Sequence, residues 1–543
     1  MKAIVPIVAA LIVVAAFSQS VYQPPGHVPV RARSNWTDSY VIFPDTRDLP
    51  LMVRIQRDPR FWDQWYRRNW GGRSSGGHRN DAQATQRDWT VSLGGSAGPQ
   101  NTYPAKYTFD VTAAPSCTAD FVVTGVNLAG RTTQANIVGL NNLYAPGFCS
   151  GSGPAFMFAY NVGPGLVYAS VTMSLDGTKL AFIENNGANT YFHVLTYKAG
   201  SGNGTDATHP AVPGTGNTAV DTKVLLGEPT TTAPFVDYLH DVAYVTTYNT
   251  GVTTGTVRKI TGVFTGTPTQ VTTGGWPIAS TSPISTPVYD SVSQHLFFRN
   301  SAGQVRYIDT SASTAAIATN YFTLTSGADA PARPPIVDST NGKIYAYSSG
   351  ATGTNCVIGQ ADINLSNPVT VNVGSVTALT AFGPDLNNAY YTGDQANAYL
   401  YGVGNDSSAN LRPELYRIGF GSGWRMNSAI ANPALLLTTA GAAAGAFASP
   451  LTEFYNPTLN KDFLFVGITN YCSTGVPAGC IRSLDITSAF PTSGNVNSVI
   501  LAATGGTSGI TVDNISAQPG ASSVYYLTLG ANTLVKATQS GLN

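Results

Sequence analysis

The sequence has few charged residues and very little glutamate. Charged side chains make up 11% of its 543 residues, and the two signs balance to a formal net charge of zero. Glutamate occurs at Glu184, Glu228, Glu414 and Glu453 only. A neutral chain has no basic field to attract nucleic acid and no acidic field for cationic partners. Nor does the sequence single out a carboxylate pair of the kind that glycosidases use.

Motifs of known catalytic and metal sites are also lacking. The sequence contains no HExxH and no phosphate-binding glycine loop. It has no CxxC spacing for zinc and no DxDxDG loop for calcium. We therefore predict no catalytic residue, no cofactor and no metal ligand. Cys356 is interpreted as a buried thiol, because the alternative, a nucleophile, would need a histidine close by.

Long apolar runs are absent after the first 20 residues. Residues 1–20 carry a lysine, then an apolar run from Ala3 to Phe17, then small residues. This pattern predicts a secretory signal peptide that is cleaved near Ser18–Ser20. An uncleaved anchor is the alternative, although a run of this length is short for a bilayer span. We expect a secreted, periplasmic or cell-surface bacterial protein with no membrane span.

Cysteine usage agrees with export. Cys117 and Cys149 flank a β-rich segment, and Cys472 and Cys480 close a short loop. Both pairs are predicted to be disulfides in an oxidising compartment.

A repeated strand pattern fills most of the chain. In residues 282–310 an apolar strand ends at Asp290 and is followed by strands at His295–Arg299 and Gln304–Asp309. A fourth strand is expected within 320–325. Six further segments repeat the pattern around the anchors Asp176, Asp237, Asp338, Asp385, Asn456 and Pro519. Four-stranded units repeated in this way predict an all-β fold, a seven-bladed β-propeller at 154–543.

The last copy ends at Thr533–Thr538 and has no fourth strand of its own. A strand at Phe156–Asn161 precedes the first copy, and we expect it to complete the last blade and close the ring. The alternative is that 156–161 belongs to an eighth, degenerate blade.

The recurring aspartates Asp176, Asp237, Asp290 and Asp338 follow equivalent strands. A ring of carboxylates can hold calcium, but aspartate at the same local position four times favours turn capping.

Residues 21–86 differ from the rest in being rich in arginine and tryptophan. The run DPRFWDQWYRRNWGG spaces its aromatic residues as on a helix, with arginines between them. Such residues dominate interface anchors, so the candidate partner-binding residues are Trp62, Trp65, Tyr66, Arg67, Arg68 and Trp70. The alternative is one amphipathic helix packed on the propeller, followed by a linker at 71–86. Self-assembly through this segment is a third interpretation.

Residues 87–153 are predicted to form a small disulfide-stapled β-unit. Its run DWTVSLGG, the later SLDGTKLAF (Ser174–Phe182) and PPIVDSTNGKIYA resemble an uncharacterised family of secreted bacterial β-propeller proteins over most of 87–350. More distantly the chain is similar to TolB-like and quinoprotein-like propellers. The resemblance implies a propeller and no established activity. The tryptophan-docking repeat of quinoproteins is missing, since Trp276 and Trp424 lie outside such a context.

These observations favour an exported, non-catalytic binding or scaffold propeller that presents loops to a protein or glycan. The alternative is a propeller-type hydrolase, lyase or oxidoreductase with its site at the central channel. An open polar channel would favour the enzyme, and an occluded one would favour the binder.

Overall fold

The computed structural model of the chain consists mainly of short β-strands. It describes residues 33–35, 40–43, 49–69, 85–95, 97–100, 102–110, 114–214, 219–247, 253–325, 334–349, 355–376, 383–406, 410–431, 434–439, 445–491, 498–514, 516, 518 and 520–539. The N-terminal elements are β1 (Arg33–Asn35), β2 (Tyr40–Ile42), α1 (Leu49–Ile55), α2 (Pro59–Asn69) and β3 (Thr85–Ser92). The predicted signal peptide and most of the predicted linker lie outside the described residues.

The remaining strands form a series of antiparallel sheets, which we number 1 to 8 in chain order. Sheet 1 has β4 (Ala105–Thr108), β5 (Phe121–Gly125), β6 (Ile137–Asn141) and β7 (Ala155–Tyr160); sheet 2 has β8 (Thr172–Met173), β9 (Lys179–Glu184), β10 (Tyr191–Thr196) and β11 (Val220–Leu225). Sheet 3 has β12 (Phe235–Asp237), β13 (Val242–Thr246), β14 (Gly255–Thr261), β15 (Thr269–Gln270) and β16 (Ile278–Ser280); sheet 4 has β17 (Val288–Asp290), β18 (His295–Arg299), β19 (Gln304–Asp309) and β20 (Phe322–Thr323).

The second half of the chain repeats the arrangement. Sheet 5 has β21 (Ile336–Asp338), β22 (Lys343–Ser348), β23 (Asn355–Asp362) and β24 (Val369–Val376); sheet 6 has β25 (Asp385–Leu386), β26 (Tyr399–Asn405), β27 (Pro413–Gly421), β28 (Arg425–Met426) and β29 (Leu435–Leu436), with α3 (Asn388–Tyr391) after β25. Sheet 7 has β30 (Thr452–Asn456), β31 (Lys461–Ile468), β32 (Cys480–Asp485) and β33 (Ser498–Ala502); sheet 8 has β34 (Thr511–Asp513), β35 (Ser523–Thr528) and β36 (Thr533–Gln539). A parallel bridge from Gly374 to Asn405 joins sheets 5 and 6.

Hydrophobic cores lie between neighbouring sheets. Each cluster contains residues from consecutive sheets. For example, Phe158 of sheet 1 and Phe182 of sheet 2 belong to one core. The other clusters continue this order through sheets 2 to 8. The last cluster then combines Tyr525 of sheet 8 with Val122 of sheet 1. Sheets that pack in sequence and return to the first form a closed ring, which is a propeller-like fold.

The ring is closed by β3, which pairs antiparallel with β36 and gives sheet 8 its fourth strand. The prediction that 156–161 closes the ring is therefore wrong. That segment is β7, and it pairs with β6 in sheet 1. Its backbone hydrogen bonds are made within its own sheet, so it has no role at the far end of the chain.

The predicted number of seven blades is not confirmed, because the described residues form eight four- or five-stranded units when sheets 5 and 6, which one bridge joins, are counted separately. Sheet 1 is the additional one, as in the alternative reading of 156–161. Strand pairing crosses two of the three predicted domain boundaries: β3 spans residues 86 and 87, and β7, which follows residue 153, pairs with β6, which precedes it.

The first strand of each sheet lies nearest the ring centre, since first strands of neighbouring sheets contact one another, as β12 contacts β17 and β34 contacts β4. Where these strands end, the predicted turn capping is confirmed. Asp290 accepts the backbone N–H of Val292 at 3.1 Å and that of Ser293 at 3.0 Å. Asp237 accepts that of Leu239 at 3.0 Å. We call the side of the ring formed by these turns the turn face.

Both predicted disulfides are present. Cys117 and Cys149 staple sheet 1, and Cys472 and Cys480 staple a loop of sheet 7. The Cys356 thiol is buried and donates to the Ser349 carbonyl at 3.4 Å.

Candidate functional site

The described elements of the arginine- and tryptophan-rich segment, β1, β2, α1 and α2, lie at the centre of the ring. β1 pairs antiparallel with β4, the first strand of sheet 1. β2 pairs parallel with β21, the first strand of sheet 5. Sheets 1 and 5 are opposite each other in a ring of eight, so β1 and β2 lie on opposite sides of the axis. Val41 and Ile42 of β2 are buried in the cores that flank sheet 5.

Helix α1 and helix α2 follow on the turn face. Arg54 donates to the carbonyl of Ser291, which directly follows the first strand of sheet 4, at 2.7 Å. Gln64 donates to the Val41 carbonyl and accepts the backbone N–H of Phe43 at 3.4 Å. The helices are therefore fastened both to the ring and to β2. The prediction of an amphipathic helix packed on the propeller is confirmed for α2.

Arg60 is buried although it carries a charge. Its guanidinium donates to Asp58 at 2.5 Å and to the Val236 carbonyl at 2.8 Å. It also lies over the Phe235 ring, 3.8 Å from the ring centroid. A planar cation can satisfy a carboxylate, a carbonyl and an aromatic face at once, which permits its burial against sheet 3.

Arg68 is held in the same manner near the other end of α2. Its two terminal nitrogens donate to the two oxygens of Glu453 at 3.0 and 2.8 Å. The guanidinium carbon lies 3.2 Å from the centroid of the Tyr391 ring. The Glu453 side chain is 1% exposed and that of Arg68 is 10% exposed. Arg68 thus faces into the ring, away from an external partner.

The candidate aromatic residues lie in different environments. Trp62 is half-buried and donates its indole N–H to the Gln56 carbonyl at 2.7 Å. Trp65 is 39% exposed, and the two indole rings meet edge to face at 6.4 Å. Tyr66 and Arg67 belong to α2, but their side chains are outside the described part of the chain, as is all of Trp70. The structure therefore brings Trp62 and Trp65 together as an outward aromatic pair.

The carboxylate of Asp462 lies beside that of Glu453. Burial, together with the neighbouring Glu453 carboxylate, holds the pKa of Asp462 well above its usual range. The backbone N–H of Asn388 donates to it at 2.8 Å. Two acidic groups in one buried site disfavour each other's charge, and the guanidinium of Arg68 offsets that repulsion.

A second buried charged group lies in sheet 2. His193 is fully buried, and its ring nitrogens lie 3.1 Å from the Glu184 carboxylate and 3.0 Å from that of Asp221. Burial alone would lower the pKa of His193, but hydrogen bonds to Asp221 and Glu184 raise it above 6.5. Lys223 is 3.8 Å from Asp221 and adds the other charge that faces this group.

We expect the His193 cluster to make stability depend on pH. A folded pKa above the unfolded value stabilises the protein fully below about pH 6.5 and progressively less as the pH rises through the folded pKa. Neutral imidazole can donate from only one nitrogen, so one carboxylate then loses its donor. His193→Gln should cost about 1.5–3 kcal/mol at pH 6 and less at pH 9. Thermal unfolding of both proteins across this range measures the difference.

The exposed His209, whose side chain is 67% exposed, supplies the control. His209→Gln should leave the pH profile unchanged. A stability difference between wild type and His193→Gln that stays constant with pH would contradict the prediction.

Sequence reasoning missed the residues that receive Arg68. Glu453 is one of only four glutamates, and it lies within a largely buried strand, TEFYN. A rare acid in a predicted buried strand was the available signal. Within the described residues no group of three or more His, Cys, Asp or Glu side chains is placed to hold a metal ion. No described helix is long and apolar enough to cross a bilayer.

Comparisons with known proteins give distant similarities to solved structures. No protein-family model and no curated protein sequence matches the chain. The chain is similar to BamB from Moraxella catarrhalis (TM-score 0.41, 10% identity, covering 84% of this chain and 100% of that one). It is also similar to Sqt1 from Chaetomium thermophilum (0.44, 9%, 84% and 98%) and to the WD40 propeller domain of Doa1 (0.38, 8%, 84% and 97%).

Proposed function

We propose that this protein is an exported, non-catalytic β-propeller that binds a protein or glycan partner at the centre of its turn face. The observation that carries the proposal is that the chain's own β1, β2 and α2 occupy the ring centre and leave Trp65 exposed there. An indole that is part buried and part exposed is a common interface anchor, because it adds apolar area at little entropic cost.

Export is part of the proposal. The apolar run within residues 1–20 is followed by a chain with two disulfides, in sheets 1 and 7. Disulfides form and persist in oxidising compartments. We further propose that residues 85–539 act as one rigid ring, because β3 and β36 belong to the same sheet.

The alternative function, an enzyme with a site at the central channel, requires room at the axis. In the described residues β1 and β2 cover the inner strands of sheets 1 and 5, and α2 packs against β1, β2 and β30. Occupation of the centre by the chain's own elements therefore supports binding on the face over chemistry in the channel.

Photo-crosslinking in exporting cells tests the proposal. A benzophenone amino acid replaces Trp65 in one variant and Ile430, which is also 39% exposed, in the other. We expect a discrete adduct from position 65 only, with its partner identified by mass spectrometry. Trp65→Ala should then weaken binding of that partner at least tenfold, and Ile430→Ala should not.

Three results would distinguish the partners. A glycan partner would appear on a glycan array as a signal that Trp65→Ala abolishes. Self-assembly would appear as an adduct between two copies of this chain. Equal labelling from positions 65 and 430, with unchanged binding by Trp65→Ala, would reject the proposal.

A further inference from the structure

The surroundings of the Arg68 guanidinium form a recognition site for its two terminal nitrogens and its planar face. Glu453 accepts two parallel hydrogen bonds from it, at 3.0 and 2.8 Å. The side-chain oxygen of Asn388 accepts a third at 3.0 Å. The Tyr391 ring lies under its plane at 3.2 Å. A carboxylate fork, an amide oxygen and an aromatic face are the groups that distinguish a planar guanidinium from a compact ammonium.

These groups are held in place by the ring and not by α2. The backbone N–H of Glu453 donates to the Asp385 carboxylate at 2.7 Å, which joins sheet 7 to sheet 6. The backbone N–H of Asn388 donates to Asp462 at 2.8 Å across the same two sheets. The site is therefore built by sheets 6 and 7 and should keep its shape when Arg68 is removed.

Asp462 adds to the acidic character of this site. Its side chain is buried beside Glu453, and burial together with the Glu453 carboxylate raises the pKa of Asp462 and so favours its protonated form. The Glu453 side chain is 1% exposed, and a buried carboxylate is costly unless positive charge is near. Arg68 supplies that charge from a helix 385 residues upstream of Glu453.

We propose that Glu453, Asn388 and Tyr391 form a guanidinium-binding socket, which the chain fills with its own Arg68 and which accepts an arginine side chain from another source when Arg68 is absent. The ligand class is thus an arginine-bearing peptide. This inference goes beyond the proposed partner binding, because it concerns the buried Arg68 and not the exposed Trp65.

Chemical rescue of the full-length Arg68→Ala variant tests the socket. The probe is methylguanidinium at low millimolar concentration, and the matched salt is methylammonium. Ligand that binds only the folded protein raises its melting temperature. We expect methylguanidinium to raise the melting temperature of Arg68→Ala by about 2 °C relative to methylammonium. Wild type should not respond, because its socket is filled.

The Arg68→Ala/Glu453→Gln double variant provides the control, and it should show no difference between the two salts. Equal responses of Arg68→Ala to both salts, or no response to either, would overturn the proposal. If Arg68→Ala does not fold, the melting temperature of Arg68→Lys tests the socket instead. Lysine keeps the charge but cannot bridge both carboxylate oxygens, so its melting temperature should fall below that of wild type. A melting temperature equal to that of wild type would overturn the proposal.

Discussion

A chain that begins at Gly95 is expected to lose ring closure, whereas one that begins at Ala84 is expected to keep it. The two chains differ by strand β3, which pairs with β36 from Thr85 opposite Gln539 to Ser92 opposite Thr533. Without β3 the backbone groups of β36 on that side have no strand to pair with. Exposed strand edges of this kind recruit other chains and promote aggregation.

The same deletion removes part of the core between sheets 8 and 1. Trp89 of β3 is 6% exposed, and its indole N–H donates to the Leu143 carbonyl at 3.0 Å. Its ring lies 6.0 Å from that of Tyr525. Truncating a buried tryptophan alone costs about 3–5 kcal/mol, so loss of the whole strand should be among the most damaging changes in this chain.

Light scattering and hydrogen exchange measure the outcome. We expect the chain that begins at Gly95 to form oligomers or aggregates, with fast amide exchange in β36, while the chain that begins at Ala84 stays monomeric and protected. Both chains lack β1, β2, α1 and α2, so any effect of removing those elements is the same in the two chains. A monomer that begins at Gly95 and melts at the same temperature would contradict the assignment of β3 as the closing strand.

Peptide complementation separates strand pairing from a general effect of shortening. A peptide of residues 85–92 should add to the exposed edge of β36 and restore protection, since main-chain pairing gives affinity and side chains give register. The same peptide carrying Trp89→Ala should bind more weakly, because it pairs equally but leaves the core unfilled.

Most of the ring could be predicted from the sequence because each sheet repeats a local pattern. The strands predicted at His295–Arg299 and Gln304–Asp309 coincide with β18 and β19. Asp290 marks the turn because its carboxylate caps backbone N–H groups only two and three residues ahead. Short-range physics of this kind is fully encoded in a window of about ten residues.

Sheet 1 was predicted as a separate β-unit and not as part of the ring, and β3 was not predicted to close the ring, for a different reason. Between β4 and β5 the chain makes a longer excursion that contains Cys117, in place of a tight aspartate turn. Because the sequence pattern does not identify sheet 1 as a unit of the ring, it gives the strand at 156–161 no pairing partner nearby. The partner of β36 lies more than 400 residues upstream, and nothing in the local pattern of β3 specifies so distant a strand.

Helix α2 shows the same limit, which is that contacts between residues far apart in the sequence cannot be predicted from a local pattern. Aromatic spacing predicted helix α2, but not which of its arginines are buried. Arg60 reaches a carbonyl 176 residues away, and Arg68 reaches a carboxylate 385 residues away. Arg68 was proposed as a partner-binding residue because arginines of α2 look alike in sequence. Their different roles arise from the ring into which the helix folds.

Lys106→Met is expected to destabilise the protein by about 3–5 kcal/mol, because it leaves a buried acid without its cation. Lys106 lies on the first strand of sheet 1 and is 2% exposed. Its amine lies 2.8 Å from Asp513, at the end of the first strand of sheet 8. It also donates to the Tyr144 hydroxyl at 2.9 Å. The pair therefore spans the seam where the ring closes.

The other carboxylates at this seam keep hydrogen-bond donors when Lys106 is replaced by methionine. Asp120 accepts the Tyr144 hydroxyl at 2.7 Å and the backbone N–H of Phe109 at 2.9 Å. The second buried amine, Lys536, is 2.5 Å from Asp88 of β3. Asp513 is therefore the carboxylate to replace together with Lys106 in a double variant.

Denaturant unfolding of three variants checks the prediction. Lys461→Met removes a pair of similar geometry, 2.7 Å from Asp485, but its lysine side chain is 42% exposed, and it should cost less than about 1 kcal/mol. Lys106→Met/Asp513→Leu should be more stable than Lys106→Met, since replacing both members of a buried pair removes the stranded charge. If Lys106→Met costs no more than Lys461→Met, the ion pair does not hold the seam. If the double variant is no more stable than Lys106→Met, the loss comes from packing and not from the uncompensated carboxylate.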